Sequence, residues 1–548
     1  MRPTIASAAV PLALLLSGLL IACEERTRDA RLEAIVARGA ADTPSPREAE
    51  SPAPPSNAAS TQNSGLSGLR RSERLDDAAS RSSSYGLGYV AVPEPLARPT
   101  QLDPTSNFSI DVDTASYTNV RGMLEAGQAP PPGAVRIEEM LNYFAYGDRD
   151  SSEVVAVSTE LGVNPWSPGH ALAKVVIRGR AIDGPIPAHN LVLLVDVSGS
   201  MASDDRLPRI RRAFARLAET LRPQDRVAIV AYAGAEGVVL DTTRGSDHGR
   251  ILRALDSLQS GGSTNGGSGI VLAYRLAGAS FLEGGINRVV LATDGDFNVG
   301  VTSHEDLVRL IEEKRRSGIE LTVLGVGTGN FRDHTMEALA DHGNGNFAYL
   351  DSEVEAYRVL VRESASTLVT VARDVKVEVR FDPERVRSHR LVGYENRAMT
   401  AEEFRDPRTD AGELGAGDSV VALYDVELAR GADDDEGSLR RFVPRVLRDE
   451  PSIARIEVRY VDAASGERRA TTASITSDVR AIDETSDDFR FASGVAAFGL
   501  VLRNSEHADR ASFELARSLA AGAIGDDADG ERASFVGLVD RARGVLTL

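Results

Sequence analysis

The chain has 548 residues, with a hydrophobic fraction of 42% and a charged fraction of 26%. That is ordinary globular composition in a chain too long for one hydrophobic core, so two or three packed units with linkers are expected. The formal net charge is −19, from 81 acidic and 62 basic residues; without the basic face that phosphate backbones require, nucleic acid is excluded as the expected partner, while divalent cations are not. Cys23 is the single cysteine, which excludes an internal disulfide framework.

Taken in chain order, Arg2 gives a positive start to an apolar run from Ile5 to Ala22. This is the pattern of a secretory signal and is marginal for a spanning helix. The run closes on Leu20-Ile21-Ala22-Cys23, which resembles a bacterial lipobox. Residues 1–23 therefore read as a lipoprotein signal peptide, with Cys23 lipidated and becoming the mature N-terminus. A plain secretory signal or an uncleaved anchor is the competing reading. Residues 24–99 are rich in Ser, Ala, Pro and Arg, as in Ser51-Pro52-Ala53-Pro54-Pro55. Such sequence buries too little apolar surface to offset its ordering entropy, and a disordered tether is expected.

From 105 to 180 a short strand around Phe108, a helix over 114–126, a proline break at Pro130-Pro131-Pro132, a helix over 134–144 and strands over 154–163 and 172–178 are predicted. Residues 188–371 change character. Leu191-Val192-Leu193-Leu194-Val195 is a continuous apolar run, as in a strand buried on both faces of a parallel sheet, and similar runs lie at 227–232, 289–292 and 321–326. Helical patterns separate them at 210–221, 249–258, 269–281, 305–316 and 333–340, with 352–371 as closing helix. The fold class is α/β, an open, mostly parallel sheet with helices on both faces. Residues 372–548 alternate as strands over 374–381, 390–394, 419–427 and 453–460, then turn helical from Asp487. The strands before residue 180 could pair with these, inserting the α/β domain into a β-sandwich.

The first strand of the α/β unit ends in Asp196-Val197-Ser198-Gly199-Ser200. Ligand sites in open parallel sheets lie beyond the carboxyl ends of the strands, and this loop offers one carboxylate and two hydroxyls, all hard oxygen donors suited to Mg²⁺. Thr264 lies in the glycine-rich loop 261–267, and a later strand ends in Thr293-Asp294-Gly295. In this order, these residues resemble the metal-ion-dependent adhesion site of von Willebrand factor type A domains. The resemblance implies Ser198, Ser200 and Thr264 as direct ligands, Asp196 and Asp294 as direct or water-mediated ones, and an open position for an acidic residue of a partner. Mg²⁺ is the expected ion, with Mn²⁺ or Ca²⁺ as alternates. Outside this domain, Ser109 to Tyr117, Pro131 to Glu139, Asn142-Tyr143-Phe144, Gly393 to Arg397, Asp410 to Gly417 and Asp488 to Ala492 resemble the flanking modules of the bacterial YfbK-type lipoproteins.

The expected function is a membrane-anchored lipoprotein of the bacterial cell envelope, on its periplasmic or cell-surface side, that binds a protein partner bearing an exposed Asp or Glu. A metal-stabilised envelope scaffold or assembly factor is the alternative, and a metal-dependent hydrolase a further one. No Gly-x-Ser-x-Gly or His-Glu-x-x-His motif occurs, and no histidine falls in the Asp196, Thr264 or Asp294 loops, so no catalytic residue is assigned and an enzyme is not expected. Asp111 and Asp113 read as a strand end capping the next helix, with a second cation pair as the competing reading. Asp433 to Glu436 reads as a solvated hairpin tip, Asp526 to Glu531 as an inter-helix loop, and Gly325 to Gly329 as a flexible loop beside the site.

Overall fold

The computed structural model describes Tyr89 and residues 93–147, 152–409, 411–429 and 452–546, except 183, 185, 234–235, 263–265, 296–303, 328–332 and 364–367. Cys23, most of the expected tether, Thr264 and Asp433 to Glu436 lie outside the described residues.

The first segment runs β1 (Arg98–Pro99), β2 (Thr105–Ser109), α1 (Ala115–Glu125), α2 (Ile137–Asn142), β3 (Val155–Val163) and β4 (Ala171–Gly179). The second predicted helix is shorter than expected because residues 132–134 form a separate 3₁₀ turn with proline in its first turn. Asp111 and Asp113 do not cap α1, whose N-cap Thr114 makes no side-chain capping bond. Instead Asp111 Oδ1 accepts from the Asp113 N–H at 3.0 Å, and Asp113 Oδ1 from the Phe347 N–H at 2.7 Å.

The α/β unit follows: β5 (His189–Asp196), α3 (Leu207–Thr220), β6 (Arg226–Tyr232), β7 (Glu236–Arg244), α4 (His248–Asp256), α5 (Gly266–Ala279), β8 (Ile286–Thr293), α6 (His304–Arg316), β9 (Ile319–Gly325), α7 (Asp333–His342), β10 (Phe347–Tyr349) and α8 (Glu353–Tyr357). The sheet order is β10-β9-β8-β5-β6-β7, parallel except for β7. All eight residues of β5 are buried, as its unbroken apolar run demands. Ile210, Phe214 and Leu217 of α3 pack on one face of the sheet and Ile270 and Tyr274 of α5 on the other. The chain proceeds to one side of β5 through β6 and to the other through β8, so the two crossovers diverge at β5. The closing helix expected over 352–371 is irregular and ends sooner: α8 runs into a π-turn at Arg358–Arg362, residues 364–367 lie outside the described ones, and Thr370 already begins the next strand.

The remainder comprises β11 (Thr370–Phe381), β12 (Val386–Val392), β13 (Ala398–Met399), α9 (Ala401–Arg405), β14 (Gly412–Gly415), β15 (Ser419–Leu428), β16 (Ala454–Asp462), β17 (Arg468–Ile475), α10 (Asp487–Leu502), α11 (Phe513–Ala521) and α12 (Glu531–Leu546). Two antiparallel sheets form, β1-β12-β15-β4-β3 and β13-β2-β11-β16-β17, with β14 alongside β11. Strands from before and after the α/β unit thus share both sheets. In β16, Ile456, Val458 and Tyr460 are buried in the sandwich core while Arg455 and Arg459 are exposed, the period-2 pattern of a half-buried strand. β4 is buried on both sides: Ala173, Val175 and Ile177 face the sandwich, while Leu172 and Val176 lie under a helical cap. That cap joins α1 and α2 to α10, α11 and α12 through edge-on aromatic contacts, among them Phe144–Phe491 at 4.9 Å and Phe498–Phe535 at 5.4 Å.

A buried ionic cluster fixes the α/β unit against this body. Arg121 of α1 donates to Asp351 through Nε and Nη2, at 2.6 and 2.7 Å, and to Glu355 of α8 at 2.9 Å. Arg358 donates to the other Glu355 oxygen at 2.8 Å and stacks on Tyr143, 4.0 Å from its ring centroid. Burial alone would raise the Glu355 carboxyl, but Arg358 and Arg121 more than offset it and hold it below its ordinary value. Removing one partner of such a cluster strands the others in low dielectric. Arg121→Met is expected to cost about 3 kcal/mol, read as a lowered thermal midpoint. Arg98→Ala, which breaks the exposed Arg98–Asp103 pair, is expected to cost less than about 1 kcal/mol. Equal shifts in the two variants would contradict this account.

Candidate functional site

The parallel register brings three strand ends together. Asp196, the last residue of β5, stands opposite Tyr232, the last of β6, and its neighbour Val195 stands opposite Ala292 of β8. Asp196 is wholly buried. Its Oδ1 accepts from the Ser198 N–H at 2.8 Å, closing the short turn that an aspartate makes with the backbone two residues on. Its Oδ2 accepts from the Thr293 hydroxyl of β8 at 3.0 Å and from the Tyr232 hydroxyl of β6 at 3.3 Å. The carboxylate is thus held from behind by hydroxyls of two neighbouring strands. Burial raises its pKa and the charge of Asp294 adds to that, while the bonds from Ser198 and Thr293 oppose it.

Beyond Asp196 the chain turns through a 3₁₀ segment over 199–202 that places the Ser198 and Ser200 hydroxyl oxygens 3.0 Å apart, Ser198 buried and Ser200 exposed. The glycine-rich loop is laced to this turn: the Gly199 N–H donates to Gly262 O at 3.1 Å and the Gly261 N–H to Val197 O at 2.7 Å. Thr264 itself is outside the described residues, two positions beyond that anchor. Asp294, next after β8, is buried, and its Oδ2 accepts from Arg206 Nη1 at 2.5 Å; the same nitrogen donates to Ser200 O at 2.8 Å. The structure therefore brings Asp196, Ser198 and Ser200 into one loop and links Asp294 to it through a guanidinium.

These groups suit a small hard cation. They are all oxygen donors, two of them are carboxylates with little solvent to disperse their charge, and one carboxylate has already drawn a cationic side chain onto itself. Among the described residues, a second acidic cluster joins Asp111, Glu139 and Glu337, whose oxygens lie within 4.8 Å of one another. Arg397 neutralises it, lying 3.3 Å from Asp111, 3.4 Å from Glu337 and 2.8 Å from Asp341, and Arg136 pairs with Glu139. It reads as a salt-bridged junction. In the loop before α12, the Asp527 carboxylate accepts the N–H groups of Arg532 and Ala533 at 3.1 and 2.8 Å, which stabilises the start of that helix.

Thr293, Tyr232 and Arg206 were not singled out from the sequence. Thr293 stands in the Thr-Asp-Gly motif, which was a usable signal. Tyr232 is found only through register, and nothing local to Arg206 marks it.

Three family descriptions match the chain: "von Willebrand factor type A domain" over residues 190–363, "Uncharacterized protein YfbK, C-terminal" over 366–545, and "von Willebrand factor" over 88–174. The chain is 39% identical over 458 residues to "Uncharacterized protein YfbK" of Escherichia coli (strain K12), covering 81% of this chain and 79% of that one. It is 25% identical over 182 residues to human inter-alpha-trypsin inhibitor heavy chain H3, covering 31% of this chain and 20% of that one. Among solved structures it is similar to a von Willebrand factor type A protein from Catenulispora acidiphila, with a TM-score of 0.39 at 17% identity, covering 69% of this chain and 89% of that one.

The hydroxyls behind Asp196 can be tested singly. Thr293→Val keeps the shape and removes the shorter of the two hydroxyl bonds, so it is expected to cost about 1–3 kcal/mol in the metal-free protein. Tyr232→Phe removes the longer one and is expected to cost less. The reverse order in thermal or denaturant unfolding would show that Thr293 is not the main support.

Proposed function

The chain belongs to the YfbK family and carries a von Willebrand factor type A domain, and from that premise we propose that it captures a protein partner through a divalent cation at the carboxyl end of the parallel sheet. The ligand set is Asp196, Ser198, Ser200, Thr264 and Asp294. The observation that carries this reading is the paired Ser198 and Ser200 hydroxyls in front of a carboxylate braced by Thr293 and Tyr232. When bound, the ion supplies a hard positive centre that a carboxylate of the partner can reach. The chain's own residues do the rest. Strands β6 and β8 fix Asp196, the 3₁₀ turn presents the exposed Ser200, and the Gly261–Gly262 anchor holds the base of the loop carrying Thr264.

The same reading makes the chain an envelope lipoprotein held to a membrane through Cys23. Among the described residues no helix is long and apolar enough to cross a membrane. Anchoring by two or three acyl chains, with residues 24–88 as tether, suits display of the site away from a bilayer. The end of the expected 24–99 tether belongs to the folded body instead, where Arg98 and Pro99 pair with β12 and Glu94 pairs with Arg503.

Crosslinking in intact cells with Mg²⁺ or with a chelator tests the first part. Capture of a defined protein is expected to need Mg²⁺ and to fall at least about tenfold in Asp196→Ala and in Ser200→Ala. Ser200 is exposed, so its substitution is expected to leave the fold intact. Equal capture with and without chelator would replace this reading with that of a scaffold. Cys23→Ser is expected to move the protein from the membrane to the soluble fraction; retention on the membrane would point to an uncleaved anchor.

A further inference from the structure

Arg206 lies between the end of the 3₁₀ turn and the start of α3, and its side chain is only 15% exposed. One guanidinium nitrogen bridges two elements of the site, donating to Asp294 Oδ2 at 2.5 Å and to Ser200 O at 2.8 Å. A third element walls it in. Gly327, just after β9, has φ of +81°, and an ideal Cβ there would lie 2.3 Å from Arg206 Nε and 2.7 Å from its Cγ. Gly327 O in turn accepts from the Tyr349 hydroxyl at 2.9 Å. The guanidinium is therefore seated in a space that a side chain at position 327 would fill, against a carboxylate that is 99% buried on the β8 side of the site.

We propose that Arg206 is a tethered cation that competes with the divalent ion for Asp294. This rests on the cation reading given above and adds its regulation. The argument is one of charge and place. Asp196 and Asp294 bring two negative charges to the site and Arg206 returns one positive charge. A divalent ion held by the same carboxylates would stand beside the guanidinium, and like charges repel strongly where water is excluded. Ion uptake therefore requires the guanidinium to leave Asp294. Leaving also releases its bond to Ser200 O, so the turn carrying two of the hydroxyl donors is freed in the same step. Without the ion, the arginine gives Asp294 a compensating charge and ties the turn down. With the ion, the guanidinium is displaced toward the rim, where a partner's carboxylate would arrive.

The test is direct titration of Mn²⁺ into the full-length chain, followed by calorimetry and by the loss of the free-ion paramagnetic resonance signal, with thermal unfolding of the metal-free protein alongside. Arg206→Met and Arg206→Gln are expected to bind Mn²⁺ about tenfold more tightly than the wild type and to have a lower metal-free thermal midpoint. Arg206→Lys, which keeps the charge, is expected to stay near the wild type. Unchanged or weaker binding in both neutral variants, with the wild type binding normally, would overturn the proposal and leave the cation reading intact. Absence of Mn²⁺ binding in the wild type and in every variant would overturn the cation reading and this proposal with it. Should Arg206→Met fail to fold, Arg206→Gln, which keeps hydrogen-bond donors, carries the comparison.

Discussion

The register of three adjacent parallel strands is the constraint on which the rest depends. Because β5, β6 and β8 end level with one another, the hydroxyls of Tyr232 and Thr293 meet the carboxylate of Asp196 from both sides. A slip of one residue in either pairing would turn each of those side chains to the opposite face. The buried apolar runs of these strands, packed between α3 on one face and α5 on the other, hold that register. The hydrophobic core thus sets the geometry of a polar site that contributes little to it.

The rest of the molecule orients this domain. The chain leaves the sandwich at the end of β4 and returns at the start of β11, and the two points are neighbours: an ideal Cβ on Gly179 would lie 2.4 Å from Gly415 O and 3.0 Å from a methyl of Val371. Such closeness lets a whole domain be inserted without disturbing the sheets on either side. The covalent hinge alone would leave the inserted domain free to swing. The cluster of Arg121, Asp351, Glu355 and Arg358 under Tyr143 prevents that, and Arg362 adds pairs to Asp529 and Glu531 beside the cap. Buried ion pairs of this kind contribute little net stability, but they penalise any arrangement that separates them.

The parallel strands were legible because each is an apolar run with no polar interruption, and the oxygen-rich loops were legible because they follow those runs. β7 and β10 were not. β7 is the antiparallel edge, with Glu236, Gly237 and Val238 exposed, and β10 is three residues long; neither carries enough pattern. The end of the closing helix, expected at 371, overlaps the start of β11 at Thr370 because apolar residues run from one element into the other, and apolar periodicity alone does not separate a helix end from a buried strand start. The roles of Asp111 and Asp113 were missed because their partners, Phe347 and Arg397, lie more than two hundred residues away. Arg206 is the clearest case. Its meaning depends on Asp294 and Gly327, brought to it by two separate strands, and no local spacing encodes that meeting.

A crystal of the protein grown with Mn²⁺ and measured at the manganese absorption edge would test the central claim most directly. The account predicts an anomalous peak bonded to the hydroxyl oxygens of Ser198 and Ser200, with Arg206 turned away from Asp294. A structure at saturating Mn²⁺ with no peak there, and with the guanidinium still on Asp294, would contradict it.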